Sequence, residues 1–410
     1  MHDAASPANL SGAQDLARGF NAFGLRLYGE LGEGGNSFFS PLSISMAISA
    51  LVPGARGATR EELEVVLGLH ELSGPVQESA SALLQSLLNR RRTEWEWSDA
   101  SAESREVERD LFTLNIATAL FVQEAYPILA SYRDTVTDHF RAELFSLDFK
   151  AAADAAGRIN GWVSEQTQGK IPTLVSSEGL DPLTRLVLAN AVYFKAAWSS
   201  PFEAVHTLPE PFFLSSESGG ADTVEVRMMR KELDLRYWVD EALGVEAVSI
   251  PYEAMSMVVL LPGEGRLAAL GDALDAAFLD RVVAGLESTL VDLKLPRFEV
   301  RCTSQLTEAL RGLGIEAGFD TIRSDFSGVT DHPEGLSISG VIHDAWVKVG
   351  EEGTEAAAAT AMDMLGGAWS EEEPPEPIPF HVDRPFVFLI RDDETGAVLF
   401  IGRIMDPTHG

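Results

Sequence analysis

The stretch Val347–Leu365, VKVGEEGTEAAAATAMDML, decides how the rest of the chain is interpreted. Its alanines favour a helix, because alanine is the best helix former, and Thr354 could cap the start of that helix. With period two, however, an uncharged face separates from a face that carries Glu355 and Asp363. The uncharged face, which could be buried as a strand, comprises Thr354, Ala356, Ala358, Thr360, Met362 and Met364. The segment is compatible with an exposed loop, a helix or a strand, and we expect this ambiguity to be its function.

The composition is typical of a large acidic globular protein. With 410 residues, 45% of them hydrophobic, the chain can bury a large core in one big domain or two modest ones. A formal net charge of −32 repels nucleic acid and anionic membranes, so neither is an expected partner. The single cysteine, Cys302, excludes an internal disulfide. The apolar neighbours of Cys302 favour a buried, inert thiol over a nucleophile.

The start of the chain, MHDAASPANL, lacks the apolar centre of a secretory signal. No run of residues is long and apolar enough to span a bilayer. We therefore expect either that the protein stays inside the cell or that its signal is absent from this chain. Residues 1–12 are expected to be a flexible N-terminus.

The apolar patterns predict a mixture of helices and strands, with neither regular βαβ alternation nor internal repeats. Apolar residues spaced by three and four predict an amphipathic helix over Leu16–Leu31. Ser40 and Pro41 are typical of the cap and first residue of a helix, and the residues that follow are apolar nearly all round. The run Leu186–Phe194, LVLANAVYF, predicts a strand buried on both faces. Asn190 within it needs hydrogen-bond partners, either as a structural clasp or as a catalytic amide.

Two further segments are interpreted from their charges. Thr59 and Glu62 predict a capping box at the start of a helix. The segment from Arg90 to Asp110, RRRTEWEWSDASAESREVERD, has arginines that could suit a heparin-type polyanion. Its acidic residues cancel those arginines, so a solvated loop is predicted and a polyanion partner is not expected.

Enzyme motifs are absent from the sequence. There is no G-x-S-x-G elbow, no H-E-x-x-H, no phosphate-binding loop and no spaced Cys/His cluster. A Ser/His/Asp triad could still assemble in space from the eight histidines and many carboxylates. A hydrolase is therefore kept as an alternative, but we expect no catalytic residue, no cofactor and no metal.

Six stretches that occur in the family's order resemble the serpin family of serine protease inhibitors from roughly Leu16 to Pro407. They are NSFFSPLSISMAISALVPGARGATREELEVVLG, INGWVSEQTQGKI, LVLANAVYFKAAWSSPF, IPYEAMSMVVLLPG, DFSGVT with HDAWVKVGEEGTEAAAAT, and VDRPFVFLIRDDETGAVLFIGRIMDP. The resemblance, to a prokaryote-like member, implies a single α+β domain over 1–410 with three β-sheets and about nine helices. It also implies an exposed reactive-centre loop within 350–380 and an extracellular location.

The resemblance implies a protease inhibitor rather than an enzyme. A target serine protease attacks the loop, an acyl-enzyme forms, and the loop inserts as a new strand in the main sheet before deacylation can finish. The native fold is then a kinetic trap above a more stable inserted state. The expected product is a covalent complex between the protease and a monomeric inhibitor. Within the hinge that must insert, Ala356–Ala359 present little bulk as the sheet opens. The resemblance implies a hinge of Glu351, Gly353, Thr354, Glu355, Ala356, Ala357, Ala358, Ala359 and Thr360.

The resemblance also implies a polar cluster, the shutter, beneath the point where the sheet parts. Its members in this sequence are Ser40, Ser43, Asn190 and His343. Trp198 matches the tryptophan of the breach, where insertion begins. From the residues alone, His343 and Trp198 could equally be ordinary core side chains. In the inhibitor, the hydrogen bonds of the shutter must rearrange as the sheet opens and so help to set the barrier.

The family spacing, counted from Glu351, implies a scissile bond at Gly367–Ala368. Small residues there suit elastase-like or subtilisin-like proteases. If the bond is shifted by a few residues, Met364 or Leu365 would suit a chymotrypsin-like protease. Trp369 would suit a protease with a large primary pocket. Since no lysine or arginine occurs from Glu351 to Val382, a trypsin-like target is not expected.

Three features depart from the family pattern. Ala196 stands where the family usually has glycine, and Gly350 stands where it usually has asparagine, so both bear on the barrier to insertion. An acidic, proline-rich insert at 370–379, SEEEPPEPIP, bears on the cleavage position. The insert could meet a basic exosite of the protease, but a solvated spacer is favoured. A serpin that binds or stores a ligand without inhibiting remains the alternative within the family.

Overall fold

Three β-sheets organise the part of the chain that the computed structural model describes, which is residues 7–32, 34–88, 90–98, 103–214, 222–354 and 376–409. The strands in these ranges are β1 (Ser37–Phe39), β2 (Arg91–Ser98), β3 (Glu103–Asp110), β4 (Phe112–Gln123), β5 (Glu143–Leu147), β6 (Leu186–Ala197), β7 (Thr207–Phe213), β8 (Thr223–Asp240), β9 (Val245–Pro251), β10 (Met255–Pro262), β11 (Glu287–Pro296), β12 (Phe298–Gln305), β13 (Gly340–Gly350), β14 (Gly353–Thr354), β15 (Ile378–His381), β16 (Phe386–Asp392) and β17 (Val398–Ile404).

Nine α-helices lie in the same described ranges, so the expected α+β class is confirmed. They are α1 (Pro7–Glu30), α2 (Pro41–Ser49), α3 (Gly57–Val66), α4 (Val76–Leu88), α5 (Ala130–Phe140), α6 (Ala152–Gln166), α7 (Leu267–Ala273), α8 (Ala276–Gly285) and α9 (Thr307–Gly312). Among them, no helix combines the length and the apolar character that a membrane crossing requires.

The six-stranded sheet, called the main sheet from here on, has the strand order β12-β13-β14-β6-β4-β5. Strand β6 lies at its centre, and the run Leu186–Phe194 is buried throughout, as its continuous apolar pattern predicts. Helix α2 packs against one face of the sheet, and Ile159 and Val163 of α6 pack on the other face. The main sheet is therefore covered on both faces.

The nine-stranded sheet follows the order β1-β17-β16-β10-β9-β8-β11-β15, with β7 paired to β8. Strands β16 and β17 form an antiparallel hairpin, and the turn between them reaches Gly396 with a φ of +78°. Every residue of β17 is buried. The C-terminal part of the chain thus supplies strands to the interior of this sheet.

Helix α2 packs on the main sheet, and helix α1 packs on α2. Ser40 caps α2 by accepting a hydrogen bond from the Ser43 amide at 3.1 Å, and Pro41 is the first helical residue, so both predictions are confirmed. All residues of α2 are buried. Helix α1 begins at Pro7, so residues 7–12 of the segment that we expected to be flexible are helical.

The predicted capping box is wrong. Helix α3 begins at Gly57, so Thr59 lies inside the helix rather than at its cap. The Thr59 hydroxyl accepts from the Asp325 amide at 2.9 Å, and the Glu62 carboxylate accepts from the Ala317 amide at 2.6 Å. These side chains satisfy backbone donors of neighbouring segments, which local sequence does not reveal.

The predicted solvated loop between Arg90 and Asp110 is also wrong. Strands β2 and β3 pair in an antiparallel two-stranded sheet, and their register sets Glu96 opposite Arg105. The alternation that places Trp95 and Trp97 two residues apart is typical of a strand and outweighs the high charge.

Candidate functional site

The boundary between β6 and β13, called the seam from here on, is where the stretch Val347–Leu365 enters the fold. The two strands pair directly and in parallel from Gly340 opposite Val187 to Trp346 opposite Tyr193. Beyond that point β14 lies between them and is antiparallel to both. The seam is therefore closed along most of its length and already occupied by two residues at one end.

Thr354 is the last described residue of this occupied end. It is fully buried, and its Oγ1 lies 2.7 Å from the hydroxyl of Tyr252. Burial raises the pKa of the Tyr252 phenol, so this group remains protonated and able to hydrogen-bond. Thr354 pairs with Ala196 on one side and Val349 on the other. The side chain lies on the inward face, as the period-two pattern of the sequence predicts.

The expectation of a hinge that is wholly exposed in the native state is wrong for Gly353 and Thr354. Both residues are buried and belong to the main sheet. Gly353 has a φ of +140°, and a Cβ added there would lie 2.2 Å from the carbonyl oxygen of Ala196. Only glycine fits this approach of two backbones. The free edges of β6 and β13 explain the pairing, because unpaired strand edges readily accept another strand.

Trp198, the predicted breach residue, contacts the base of the hinge directly. Its amide donates to the Glu352 carbonyl at 2.9 Å, and its indole Nε1 donates to the Gly350 carbonyl at 2.9 Å. The indole also stacks on Tyr252, with ring centroids 4.3 Å apart. Trp198 and Tyr252 together hold both the backbone and the side chain of the hinge.

Glu351 anchors the same turn from the other direction. Its carbonyl accepts from the Phe202 amide at 2.8 Å. Its carboxylate lies 3.6 Å from the guanidinium of Arg297, and the Glu351 side chain is only 17% exposed. The turn between β13 and β14 is thus fixed by backbone hydrogen bonds and one ion pair.

The four predicted shutter residues lie together across the seam. His343 on β13 contacts Asn190 on β6, with His343 Nδ1 and Asn190 Oδ1 2.7 Å apart. Ser43 of α2 donates through its hydroxyl to the same Asn190 oxygen at 2.7 Å. The Ser40 amide donates to His343 Nε2 at 3.1 Å, so Nε2 is the acceptor and Nδ1 carries the proton. Asn190 also donates to Thr118 Oγ1 on β4, at 3.1 Å.

The electrostatics of this cluster favour a neutral clasp rather than a catalytic group. His343 is fully buried, and burial lowers its pKa to about 3, so the imidazole is uncharged near neutral pH. Asn190 directs its amide to Thr118 and to the Ala117 and Ser43 carbonyls. Since every polar atom of Asn190 is used by the protein itself, the structural interpretation of this residue is favoured over a catalytic amide.

The other end of the loop enters a different sheet. Strand β15 begins at Ile378 and pairs in parallel with β11 of the nine-stranded sheet. The final residues of the predicted acidic insert, Ile378 and Pro379, are therefore part of a strand. The hinge residues 355–360 and the candidate bait residues 364–369 lie outside the described residues. Thr354 thus lies in the main sheet and Ile378 lies in the nine-stranded sheet.

The departures from the family pattern fall at the occupied end of the seam. Ala196 is buried and pairs with Thr354, while Gly350 pairs with Gly353. The space around Gly350 is open, since a Cβ added there would meet no atom within 4 Å. Ala196 and Gly350 therefore border the two residues that already occupy the seam.

Sequence reasoning missed Tyr252, Thr118 and Arg297. Tyr252 lies within the quoted stretch IPYEAMSMVVLLPG, but its partner is far along the chain. Thr118 is a polar residue in the apolar strand β4, and such a residue signals a buried hydrogen bond. Arg297 offers no local signal, because its partner is set only by the fold.

Besides the seam, the described residues include a free thiol and side chains of the types that bind metals. Cys302 on β12 is half-buried, and burial raises the pKa of its thiol, which disfavours the nucleophilic thiolate. Among the residues that the structure describes, no group of three or more His, Cys, Asp or Glu side chains could hold a metal ion.

Comparisons with known proteins agree with this architecture. A family model described as Serpin (serine protease inhibitor) matches residues 18–407. An uncharacterized serpin-like protein of Thermococcus kodakarensis is 37% identical over 96% of this chain and 86% of its own length. Leukocyte elastase inhibitor A of Mus musculus is 34% identical over 96% of this chain and all of its own length. The crystal structure of mouse protein-Z dependent protease inhibitor superposes with a TM-score of 0.82 at 25% identity, covering 98% of this chain and 99% of that chain.

Proposed function

The chain belongs to the serpin family, and on that premise we propose that it inhibits serine proteases as a suicide substrate whose cleaved loop inserts into the seam. The observation that carries the proposal is β14. Its two residues, Gly353 and Thr354, already pair with both β6 and β13. A strand continued from Thr354 would stay antiparallel to both neighbours and would satisfy its backbone groups on each side.

The proposed reaction is a peptide cleavage that stops halfway. The serine oxygen of the protease bonds to the carbonyl carbon of Gly367, and the bond from that carbon to the nitrogen of Ala368 breaks. The amine of Ala368 leaves with a proton as a new N-terminus, and Gly367 remains esterified to the protease. Water would normally attack this ester. Inhibition requires that insertion displace the protease before that attack.

Insertion demands that β6 and β13 move apart by about one strand spacing, roughly 4.8 Å. The contact between Asn190 and His343 spans the seam and must break and reform during that movement. Because both side chains are buried, breaking the contact without new partners is costly. The cluster therefore keeps the closed native state kinetically stable until cleavage frees the loop.

The hinge sequence suits rapid insertion. The small side chains of Ala356–Ala359 present little bulk to the opening sheet. In the inserted strand, alternation from buried Thr354 would put Ala356 on the inward face and Glu355 on the outward face, where a carboxylate can stay solvated. No charged residue of this segment would have to enter the core.

The proposed target is an elastase-like or subtilisin-like protease. Gly367 and Ala368 fit a small primary pocket, and the name of the mouse relative, Leukocyte elastase inhibitor A, agrees with such a pocket. If the bond lies elsewhere in 364–369, then Met364 or Leu365 would instead favour a chymotrypsin-like enzyme. A basic primary residue is absent from 351–382.

The test is to mix the protein with elastase-like, subtilisin-like and chymotrypsin-like proteases and to look for an adduct that survives SDS. Sequencing the new N-terminus of the C-terminal fragment after denaturation locates the bond. The same proteases with a chemically blocked catalytic serine serve as controls and should give no adduct. Clean cleavage by every active enzyme without any adduct would overturn the inhibitor and leave a serpin that binds or stores.

A further inference from the structure

The last direct contact of the seam is an aromatic pair. Trp346 on β13 stands opposite Tyr193 on β6 at the end of the parallel pairing. Their rings are stacked, with centroids 6.4 Å apart and an interplanar angle of 4°. Three residues further along each strand, Val349 and Ala196 are already separated by Thr354. The aromatic pair is therefore the contact nearest to the point where the seam forks.

This pair lies on the face of the main sheet opposite to the His343 cluster. Trp346 and Tyr193 are each three residues from His343 and Asn190, respectively, and an odd spacing along a strand changes the face. Ala191, which shares the face of Tyr193, packs in the same apolar cluster as Ile159 of α6. The seam thus has polar side chains bridging it on one face and aromatic rings bridging it on the other.

The segment that follows α6 contacts Trp346 through Lys170. Lys170 places its Nζ 4.5 Å from the centroid of the Trp346 ring, a cation–π contact. The Trp346 indole also donates to Glu299 Oε1 on β12 at 3.2 Å. Both rings are buried. Trp346 is therefore fixed by neighbours on three sides, and its movement is coupled to the segment after α6.

We propose that Tyr193, Trp346 and Lys170 form a second clasp on the seam, which must break before the loop can advance past Thr354 and which therefore sets the rate of insertion. The inference rests on the proposed function, because it takes the seam as the place of insertion. Separating β6 and β13 by one strand spacing takes two stacked rings beyond the range in which they attract each other. The stack stabilises the closed sheet and not the opened one, so it raises the barrier.

The clasp can be tested without any protease. A synthetic peptide of residues 355–365 is mixed with the intact protein, and its uptake into the seam is timed by native gel. The variants Tyr193→Leu and Trp346→Leu should take up the peptide about tenfold faster, equivalent to about 1.4 kcal/mol of barrier. Because the readout is peptide uptake, a failure to trap proteases would not affect it.

The main sheet offers a matched control. Phe145 on β5 stacks on Phe121 of β4, with centroids 5.1 Å apart, and belongs to the same apolar cluster next to α6. These strands do not border the seam. Phe145→Leu removes a similar aromatic stack and should leave the uptake rate within about twofold of the parent.

A milder variant covers the case in which the tryptophan substitution prevents folding. Lys170→Gln removes the cation–π contact without opening a cavity and should accelerate uptake about threefold. The double variant Tyr193→Leu/Trp346→Leu should take up the peptide at about the same rate as either single variant. Each single change already removes the stack. Equal acceleration in Phe145→Leu, or none in Lys170→Gln and Trp346→Leu, would overturn the clasp. Peptide uptake by none of the proteins would also overturn it, because the seam would then not open.

Discussion

The hydroxyl of Tyr252 and Oγ1 of Thr354 lie 2.7 Å apart beneath the main sheet. The first residue of the hinge to face inward has thus reached a core partner while the loop is still uncleaved. On the proposed mechanism, the pairing of Gly353 and Thr354 in the main sheet would be the first step of strand insertion. Variants of Thr354, Tyr252, Gly353 and His343 test how this contact and the shutter affect insertion and stability.

Thr354→Arg should convert the inhibitor into a substrate. An arginine at this fully buried position would place an unpaired charge beneath the sheet, which costs several kcal/mol. We expect insertion to slow and the number of inhibitor molecules consumed per trapped protease to rise more than about tenfold. Titration of a fixed amount of protease measures this number. Thr354→Ser, which keeps the hydroxyl, is the control, and unchanged stoichiometry in the arginine variant would contradict the inward face.

Tyr252→Phe should loosen β14 while leaving the sheet intact. The change leaves the Thr354 hydroxyl without its partner, at a cost of about 1 kcal/mol. Hydrogen exchange of the Thr354 amide should become about fivefold faster. Tyr237→Phe is the matched control, because the Tyr237 hydroxyl makes a 2.7 Å hydrogen bond to Glu246, far from the seam. Equal exchange at Thr354 in both variants would show that the Tyr252 contact does not hold the hinge.

Gly353→Ala should expel β14 from the seam. A Cβ at this position would lie 2.2 Å from the Ala196 oxygen, and alanine rarely adopts a φ of +140°. We expect the hinge to become accessible and limited proteolysis near Thr354 to accelerate. Gly350→Ala is the control, since its added methyl group would meet no atom within 4 Å. Resistance of the Gly353 variant to proteolysis would mean that the strand tolerates the displacement.

The free energy of unfolding should decrease as the pH is lowered through a window set by His343. Burial lowers its pKa to about 3 in the folded protein, from an ordinary value of 6.5. Between these values the unfolded chain binds more protons, so the stabilising contribution is complete above about pH 6.5 and is lost as the pH falls towards 3. The urea midpoint, measured across this range, should decline less steeply in His343→Gln than in the parent. Parallel curves for the two proteins would contradict a neutral, buried imidazole.

Much of the fold could be predicted from local patterns. The continuous apolar run of β6 and the Ser40–Pro41 cap of α2 specify their structures through neighbouring residues alone. The meeting of Ser43, Asn190 and His343 was implied only by family resemblance, because residues on three separate elements contribute to it. Period two alone indicated the inward face of Thr354.

Other features could not be predicted because they depend on distant partners. The early entry of Gly353 and Thr354 into the sheet requires Trp198 and Tyr252, which lie more than a hundred residues away in the chain. Local sequence predicts a cap at Thr59 because it does not contain the true partner, the Asp325 amide. The high charge of Arg90–Asp110 predicts a loop, whereas the strand alternation of the same segment agrees with the observed hairpin of β2 and β3.

Strands β15, β16 and β17 all follow the proposed scissile bond and all belong to the nine-stranded sheet. Within that sheet β16 pairs with β10 on one side and β17 pairs with β1 on the other. A cut at Gly367–Ala368 would therefore yield a noncovalent heterodimer, in which the short chain supplies interior strands to the long one. Gel filtration should show a single particle, and the separately expressed segments 1–367 and 368–410 should be able to reconstitute it.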